Sequence, residues 1–414
     1  MSSRESIICG LDIGSSAVRV VVGQLGEKEE PTILAAVETP SEGVSKGTVT
    51  SIEDAVSSIS QTLEKAERLS GVELKSAYVG ISGTHILSQD SHGVVAVGKA
   101  NGEIQEDDVE RVIEAAQAVA TPPNYEIIHV IPRSFSVDGQ MNIKDPVGMS
   151  GVRLEVDAQI IQGLSSQIRN VTKSVYRTGL DINDLVLGIL ACSEAVLEKR
   201  QKELGVALVN IGSNTTSFAV FEEGDVLHTA ILPIGASHIT SDIAIGLRTA
   251  IDVAENVKLD VGTALLATVK ARTEIDLEQY GADDKEVVSV RKVSEIIEAR
   301  LEEIFGMVDD ELQKIDRSGM LPAGIILTGG GAHMHGVVEF AREQFKLPAA
   351  MAKPVVESVA IERVQDPSFS TALGLMLWGA ELEQSDGEGG IFGKVMKISN
   401  PLGSIKGIFD SFKT

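Results

Sequence analysis

The chain has 414 residues, 43% of them apolar and 23% charged, and carries a net charge of −24 at pH 7. That length allows roughly two to three domains. The charge argues against a nucleic-acid backbone as the main partner and against the body of the protein lying flat on an anionic membrane, because both surfaces would repel it.

The N-terminal stretch MSSRESIICGLDIG has no apolar core of signal-peptide length. Nowhere does the chain reach about 18 consecutive apolar residues, so neither secretion nor a membrane span is expected. The first element is a β-hairpin over residues 6–24, containing GLDIGSSAVRVVVG and a tight glycine turn. A third strand, TILAAVETP, follows. From 52 to 69 apolar residues recur at helical spacing (Ile52, Val56, Ile59, Leu63, Ala66), with Ser51 as N-cap. AYVGIS (77–82) reads as a short buried strand. This order is one half of a mixed α/β domain.

Between 83 and 163 the texture changes. The strands GVVAVG, EIIHVIPRSFSVDG and RLEVDAQIIQG surround one helix, QEDDVERVIEAAQAVA, and turn residues cluster in DPVGMSG (145–151). This reads as a small inserted α+β domain. The α/β pattern resumes with a helix at 165–178, the strand DLVLGIL and the helix SEAVLEKRQKEL. A second hairpin, LVNIGSNTTSFAVF (208–221), opens the second half. After LPIG (232–235) come one long helix, SHITSDIAIGLRTAIDVAENVKLDVG, and a charged helix, VSEIIEARLEEIFGMVDDELQKI. The strand GIILTGGGA, a helix at 337–344 and the core helix STALGLMLWGAELE complete the body. ELEQSDGEGG (381–390) is an acidic linker. The tail beyond Gly387 is net positive, with four lysines against Glu388 and Asp410. Cys9 and Cys192 sit in apolar contexts and form no disulfide framework, which fits a reducing cytoplasm.

The two hairpins share one internal order. Aligned on Gly14 and Gly212, each has an apolar run, a short acid or its amide (Asp12, Asn210), Ile, Gly, Ser, a small polar residue and a second apolar run. In such a turn backbone N–H groups converge on a concavity that binds an anion. A carboxylate or amide at the end of the first strand can hold a metal-bound water. Hairpins with small polar tips are common, but two of the same order suggest a duplicated domain gripping one polyphosphate from both sides. TGGGA (328–332) either lets a backbone approach a ligand closely or is simply a turn. Glu255 and Lys258, at i and i+3, either reach ribose hydroxyls and a base edge or form a surface ion pair. Gly235 is a further candidate for close backbone approach. The seven histidines, His333 and His335 included, show no metal-ligand spacing.

That order of hairpin, hairpin, glycine turn, helix with Glu and Lys, and glycine-rich strand end resembles the actin superfamily. Within it the chain resembles the FtsA family of bacterial cell-division proteins over nearly its whole length. AYVGISGTHI, EIIHVIPRSFSVDGQ, IKDPVGMSGVRLEVD and the tail carry the most specific resemblance, and ELGVALVNIG, LPIGASHITSDIAIGL and LTGGGA match nucleotide and hinge segments. The resemblance implies an α/β, actin-like two-lobed fold of duplicated ribonuclease-H-like domains with an inserted subdomain, 1C. It divides the chain into 1A (1–82, 164–205 and 366–386), 1C (83–163), 2A (206–235 and 312–365), 2B (236–311) and a linker with terminal membrane helix (387–414).

It also implies ATP and magnesium between the lobes. Asp12, Gly14, Ser15 and Ser16 fall on the first phosphate loop, and Asn210 with Gly212, Ser213, Asn214, Thr215 and Thr216 on the second. Glu255 and Lys258 fall on the adenosine-contacting helix and Gly329, Gly330 and Gly331 on the adenosine loop, with Asp12 and Asn210 on the metal side. In this superfamily the metal is held largely through waters. Asn210 and Ser217 replace acids usual on the second loop, Ser213 and Asn214 replace two glycines, and Ala17 stands where the family often carries lysine. Backbone amides preserve binding, but phosphoryl transfer depends on metal and water placement. A weak or absent ATPase is the expectation.

In the tail, Leu402, Ile405, Phe409 and Phe412 recur at helical spacing with Ile408 beside them, while Lys406 and Lys413 fall largely to the other side. Such a helix lies in a membrane interface or packs on the protein's own body. Half-burying five such side chains contributes roughly 4–8 kcal/mol before the ordering cost. One tail is therefore a marginal anchor, and a filament of many is firm. Gly403 and Gly407 weaken the helix. The family's terminal membrane helix favours lipid.

Arg291, Ser294, Glu295, Arg300 and Glu302 lie on a helix in the lobe that, by resemblance, receives the FtsZ C-terminal peptide, with Arg291 and Arg300 pairing with its acids; the other reading is a solvated charged face. The implied whole is a polymerising, head-to-tail actin homologue at the division site, on the cytoplasmic face of the membrane, with FtsZ, lipid and other divisome proteins as partners and no nucleic acid. Two rivals stand beside it. An ATP-dependent kinase or phosphatase of this fold needs an acid on the second loop. A pilus or secretion adaptor of actin fold should lack the DPVGMSGVRLE insert.

Overall fold

In the first hairpin, Ser6–Ile13 pairs antiparallel with Ala17–Leu25, from Ser6 opposite Leu25 to Ile13 opposite Val18. Both strands are buried along most of their length, because helices cover both faces of the sheet. The computed structural model describes residues 6–26, 31–98, 102–118, 121–270, 272–356 and 361–385. The first sheet runs Thr32–Pro40, Ala17–Leu25, Ser6–Ile13, Ser76–Ile81, Asp181–Leu187. The first three strands are antiparallel, and the last two pair parallel.

The second lobe repeats this. Asp225–Leu232, Thr216–Glu222 and Val206–Ile211 are antiparallel, and Gly324–Thr328 and Ala349–Met351 add parallel strands on the same side. The duplication inferred from two short loops therefore extends to the whole five-stranded topology.

Helix Ile52–Ser70 starts where the Ser51 side chain accepts from the Asp54 N–H and ends at Gly71 in the left-handed conformation. Ala55, Ile59, Leu63 and Ala66 bury its inner face. On the other side of the sheet, helix Ser370–Ser385 lies against strand Ser6–Ile13 and helix Gly188–Val196. Glycines set that closeness. A Cβ on Gly10 would lie 2.3 Å from the Ala372 carbonyl oxygen, and one on Gly374 would lie 1.9 Å from that of Ala191.

The segment inserted after Ser76–Ile81 forms its own antiparallel sheet, in the order Ile86–Ala96, Arg153–Leu164, Tyr125–Val137, Gln140–Ile143. Helix Glu106–Ala118 packs on it around Val112, Ile113, Leu154 and Val156. Its first strand begins earlier than GVVAVG implies, because residues 87–90 are exposed and lack apolar alternation. The second lobe has a separate core, yet the first lobe's cluster continues into it through Leu208, Ala219, Phe221 and Ile326. The lobes are joined at their base by apolar packing.

Several expected helices differ. The single helix after LPIG is two, Ala236–Leu247 and Ile251–Val261, broken at Arg248 with φ 56°. The break lets both pieces pack on one another, and the first packs on Val290–Lys314; no proline marks it in the sequence. The expected helix SEAVLEKRQKEL is also two pieces, Gly188–Val196 and Lys199–Leu204, with Leu197 extended between them. Gly188–Val196 is buried on nearly every side, so it shows no amphipathic period and its start reads as strand. The GGGA run is a 3-10 turn, Gly330–His333, rather than the end of a strand.

Candidate functional site

Each hairpin closes with the same hydrogen bond: Gly14 N–H donates to the Ala17 carbonyl at 3.0 Å, and Gly212 N–H to that of Thr215 at 2.9 Å. A Cβ at either glycine would lie 2.8 or 2.9 Å from the accepting oxygen, so both turns demand glycine for space. The two turns face one another across a cleft of about 1050 Å³ between the lobes. Asp12, Gly14, Ser15 and Ser16 line it from the first loop, and Asn210, Gly212, Ser213, Asn214 and Thr215 from the second. Glu255, Lys258 and Gly329, Gly330 and Gly331 complete the wall.

Each loop is braced from behind. The Ser15 hydroxyl accepts from Gly47 N–H at 3.2 Å. The carbonyls of Gly212 and Ser213 accept from Ala236 and Ser237 N–H, at 2.9 and 2.8 Å, in the first turn of helix Ala236–Leu247. Two expected ligand contacts belong to this bracing. Thr216 is fully buried and its hydroxyl donates to the Ile234 carbonyl at 2.8 Å. A Cβ on Gly235 would lie 2.6 Å from the carbonyl oxygens of Gly212 and Ser213. Gly235 allows close approach of backbone to backbone, not of backbone to ligand.

The three glycines of TGGGA divide in the same way. Gly329 has φ 82°, and its Cβ would collide with the Asn210 amide oxygen at 2.2 Å; a Cβ on Gly331 would collide with Ile211. A Cβ on Gly330 meets no described heavy atom within 4 Å. Gly330 is thus the one of the three that opens onto free space.

Glu255 and Lys258 form no surface pair. The Lys258 ammonium is buried, 2.6 Å from the Glu255 carboxylate and 2.9 Å from the Thr240 hydroxyl. Both side chains hold the helix Ile251–Val261 to its neighbour and present a fixed polar edge to the cleft.

The loops differ in charge. Asp12 stands opposite Arg19 in the strand register, and Asn210 stands opposite Ser217. Burial pushes the Asp12 carboxyl up to about 6, with the Arg19 guanidinium pulling the other way. The Asn210 amide donates to the Thr371 hydroxyl at 3.2 Å. The Ser82 and Ser217 hydroxyls meet at 3.4 Å, one from each lobe. Among the described residues no group of three His, Cys, Asp or Glu side chains is placed to hold a metal ion. Asp12 is the acid left on the loops, recessed in the cleft wall, and suits a metal reached through water and phosphate. Arg19, Ser82 and Thr371 were missed in the sequence. Counting the hairpin register outward from the glycine turn would have found Arg19.

His333 and His335 also line the cleft, but His333 pairs with Asp366 at 2.9 Å and His335 with Thr263 at 3.0 Å. On Val290–Lys314, Arg291 pairs with Glu295 at 3.2 Å, and Arg300 clasps Asp242 at 2.5 and 2.9 Å. Ser294 is buried. The tail residues Leu402, Ile405, Lys406, Ile408, Phe409, Phe412 and Lys413 lie outside the described residues. No described helix is long and apolar enough to cross a membrane.

The profile of the SHS2 domain inserted in FtsA matches residues 83–162, and that of the cell division protein FtsA matches 207–374. Over 381 residues the chain is 38% identical to cell division protein FtsA of Pseudomonas aeruginosa, covering 92% of this chain and 91% of that one. With the Bacillus subtilis protein of the same name it shares 39% over 374 residues, 90% of this chain and 83% of that one. The chain belongs to the FtsA family. Its role is accordingly that of an actin-like cell-division protein. Solved structures show the same fold at low identity. The PilM–PilN type IV pilus biogenesis complex aligns with a TM-score of 0.65 at 17% identity, over 92% of this chain and 99% of that one. Spiroplasma citri MreB5 bound to ADP aligns with a TM-score of 0.54 at 13% identity, over 93% and 99%. The FtsA membership and the insert at 83–162 weigh against a pilus adaptor.

Proposed function

We propose that this FtsA-family chain binds ATP with magnesium in the interlobe cleft, turns it over slowly or not at all, polymerises head to tail, and tethers the FtsZ ring to the cytoplasmic face of the membrane at the division site. The observation that carries the nucleotide reading is the pair of matching glycine turns facing one cleft, each with its backbone braced from behind. Asp12 is the metal-side acid and Asn210 its neutral counterpart. A kinase or phosphatase of this fold needs an acid where Asn210 and Ser217 stand. Spiroplasma citri MreB5, which shares the fold, is solved with ADP and with AMPPNP. Calorimetric titration with ATP and magnesium, followed by phosphate release, tests it: saturable binding with slow release is expected, and rates typical of metabolic kinases would overturn the slow-turnover reading.

The subdomains proposed are 1A (1–82, 164–205 and 366–386), 1C (83–163), 2A (206–235 and 312–365) and 2B (236–311), with the 311/312 boundary falling inside helix Val290–Lys314. Arg291, Glu295 and Arg300 are proposed to receive the acidic FtsZ peptide, which must compete with Asp242 for Arg300. The tail is proposed to bind lipid by its apolar face first and its lysines second. Salt screens exposed charges but hardly touches apolar burial. Phe409→Glu should release the protein from liposomes at any salt, and Lys406→Ala should cause a smaller loss, visible mainly on anionic lipid at low salt. Co-sedimentation of a chain lacking residues 400–414 at the full-length level would end the membrane reading.

A further inference from the structure

The inserted domain is held to the first lobe by packing and to the second by charge. On the first-lobe side the join is buried. His129, on strand Tyr125–Val137, accepts from the Leu187 N–H at 2.9 Å, and its ring centre lies 5.9 Å from that of Trp378. Burial pulls the His129 imidazole down to about 4, so it stays a neutral acceptor at neutral pH. Ile128 and Ile161 of the insert are part of the first lobe's core.

On the second-lobe side the join is polar and open to solvent. Lys144, just past strand Gln140–Ile143, is 61% exposed. Its ammonium donates to the Glu223 carbonyl and lies 3.3 Å from the Asp225 carboxylate. The Thr229 hydroxyl donates to that of Ser88 at 3.4 Å. Both acceptors of Lys144 sit at one tight turn. Glu222 pairs with Asp225, and Glu223 and Gly224 between them have φ of 55° and 87°. Two neighbouring cations are already engaged, Arg317 by Glu222 and Lys202 by Glu194. Burial pushes the Asp225 carboxyl up, with Lys144 pulling the other way and Glu223 and Glu203 adding to the rise. Asp225 therefore relies on Lys144 for its counter-charge.

This turn has a fixed connection to the cleft. Strand Thr216–Glu222 starts directly after Thr215, whose carbonyl closes the second glycine turn, and ends at the Lys144 contact, a span of roughly 20 Å. It is buried and paired on both sides, so it moves as one piece with the second lobe. The insert moves with the first. Rotation of one lobe against the other therefore shifts Lys144 relative to this turn.

We propose that the insert is a latch between the lobes. Lys144 on the Glu223–Asp225 turn, with Ser88 on Thr229 beside it, holds the second lobe in the orientation seen here, and release of that contact frees the lobe to rotate. The latch stands apart from the nucleotide reading, because none of these five residues lines the cleft. An ion pair that only added stability would act on unfolding and leave lobe orientation unchanged.

The test uses the full chain without nucleotide, spin-labelled at Glu64→Cys in the first lobe and Glu343→Cys in the second. Both positions are exposed, and the native Cys9 and Cys192 are buried. Pulsed electron resonance then reads the interlobe distance, with thermal unfolding run alongside. The labelled chain should give one dominant distance. Lys144→Glu should raise the population at other distances roughly tenfold, the low end for a lost charge-assisted hydrogen bond because Lys144 is exposed. Lys144→Gln should raise it about two- to fivefold, the range of a partly exposed ion pair. Combining Lys144→Glu with Asp225→Lys should restore the dominant distance. High salt should reproduce the Lys144→Gln effect in the otherwise unaltered chain and change that variant little. An unchanged distance distribution in a folded Lys144→Glu protein, or no recovery in the combined variant, overturns the proposal. If Lys144→Glu does not fold, Lys144→Gln and the salt series decide, and a distribution that neither alters overturns it equally.

Discussion

The two glycine-turn hairpins share a backbone and differ in their side chains. Both close through a glycine N–H onto a carbonyl three residues on, and both head a sheet of identical strand order. In the first, the register opposite the turn holds Asp12 and Arg19; in the second it holds Asn210 and Ser217. The lesson is that the turn geometry through which backbone amides can bind an anion survives sequence divergence in both copies. The charged pair rests on side chains and stands in the first hairpin only. The insertions diverge as well: the first lobe carries its extra sheet after Ser76–Ile81, whereas the second carries helices between Asp225–Leu232 and Gly324–Thr328.

The largest expected effect falls where neither hairpin contributes. Gly330→Asp adds a carboxylate into open space beside both turns, without a clash with the protein. It should abolish ATP binding while leaving the unfolding temperature within a degree or so of the unaltered protein. Gly331→Asp and Gly329→Asp should instead unfold the turn, since their Cβ atoms meet Ile211 and Asn210. Retained ATP affinity in Gly330→Asp would remove the cleft from the argument.

A smaller effect separates the two hairpins directly. Asp12→Ala should weaken ATP binding about tenfold or more with magnesium and little without it, the scale of a lost charge-assisted contact. Asn210→Ala should change binding only a few-fold and equally in both conditions, since its amide is tied to Thr371. Equal magnesium dependence in the two variants would mean that the loops do not differ in the way their side chains suggest.

Much of this was legible in the sequence because it is local. Gly14 and Gly212 mark turns whose hydrogen bonds span three residues, and period-2 runs flank them. What was not legible depends on packing between distant segments. Arg248 breaks a helix at a position with no breaker residue, because the two pieces must pack on one another. Gly188–Val196 is a buried helix whose uniform apolarity hides its period. Thr216 and Gly235 sit in the right segments but face the protein. The burial of Lys258 follows from Thr240 on a neighbouring helix, a contact no i,i+3 spacing discloses.

The smallest and most specific effect is a pH step carried by the first hairpin alone. Burial raises the Asp12 carboxyl to about 6, so the acid is mostly ionised at neutral pH and mostly protonated below pH 5. A magnesium ion at that wall favours the carboxylate, so binding must displace the proton when the pH is below about 6. Magnesium-dependent ATP affinity should therefore be flat above that value and fall by up to roughly tenfold per unit below it. ATP titrates in the same region, so the comparison is with Asp12→Asn, which keeps the nucleotide's own dependence and lacks the step. Stability should run the other way. Because the folded-state value lies above the ordinary 3.8, ionised Asp12 destabilises the nucleotide-free fold, increasingly from pH 4 to 6 and constantly above. Asp12→Asn should then unfold at a higher temperature than the unaltered protein at pH 7.5 and at the same temperature at pH 3.5, while Asn210→Asp, which installs an acid on the second hairpin, should lower it at neutral pH. A nucleotide-free Asp12→Asn protein less stable at pH 7.5 would show that the Arg19 guanidinium outweighs burial at this site, and that the ionised carboxylate is favourable there.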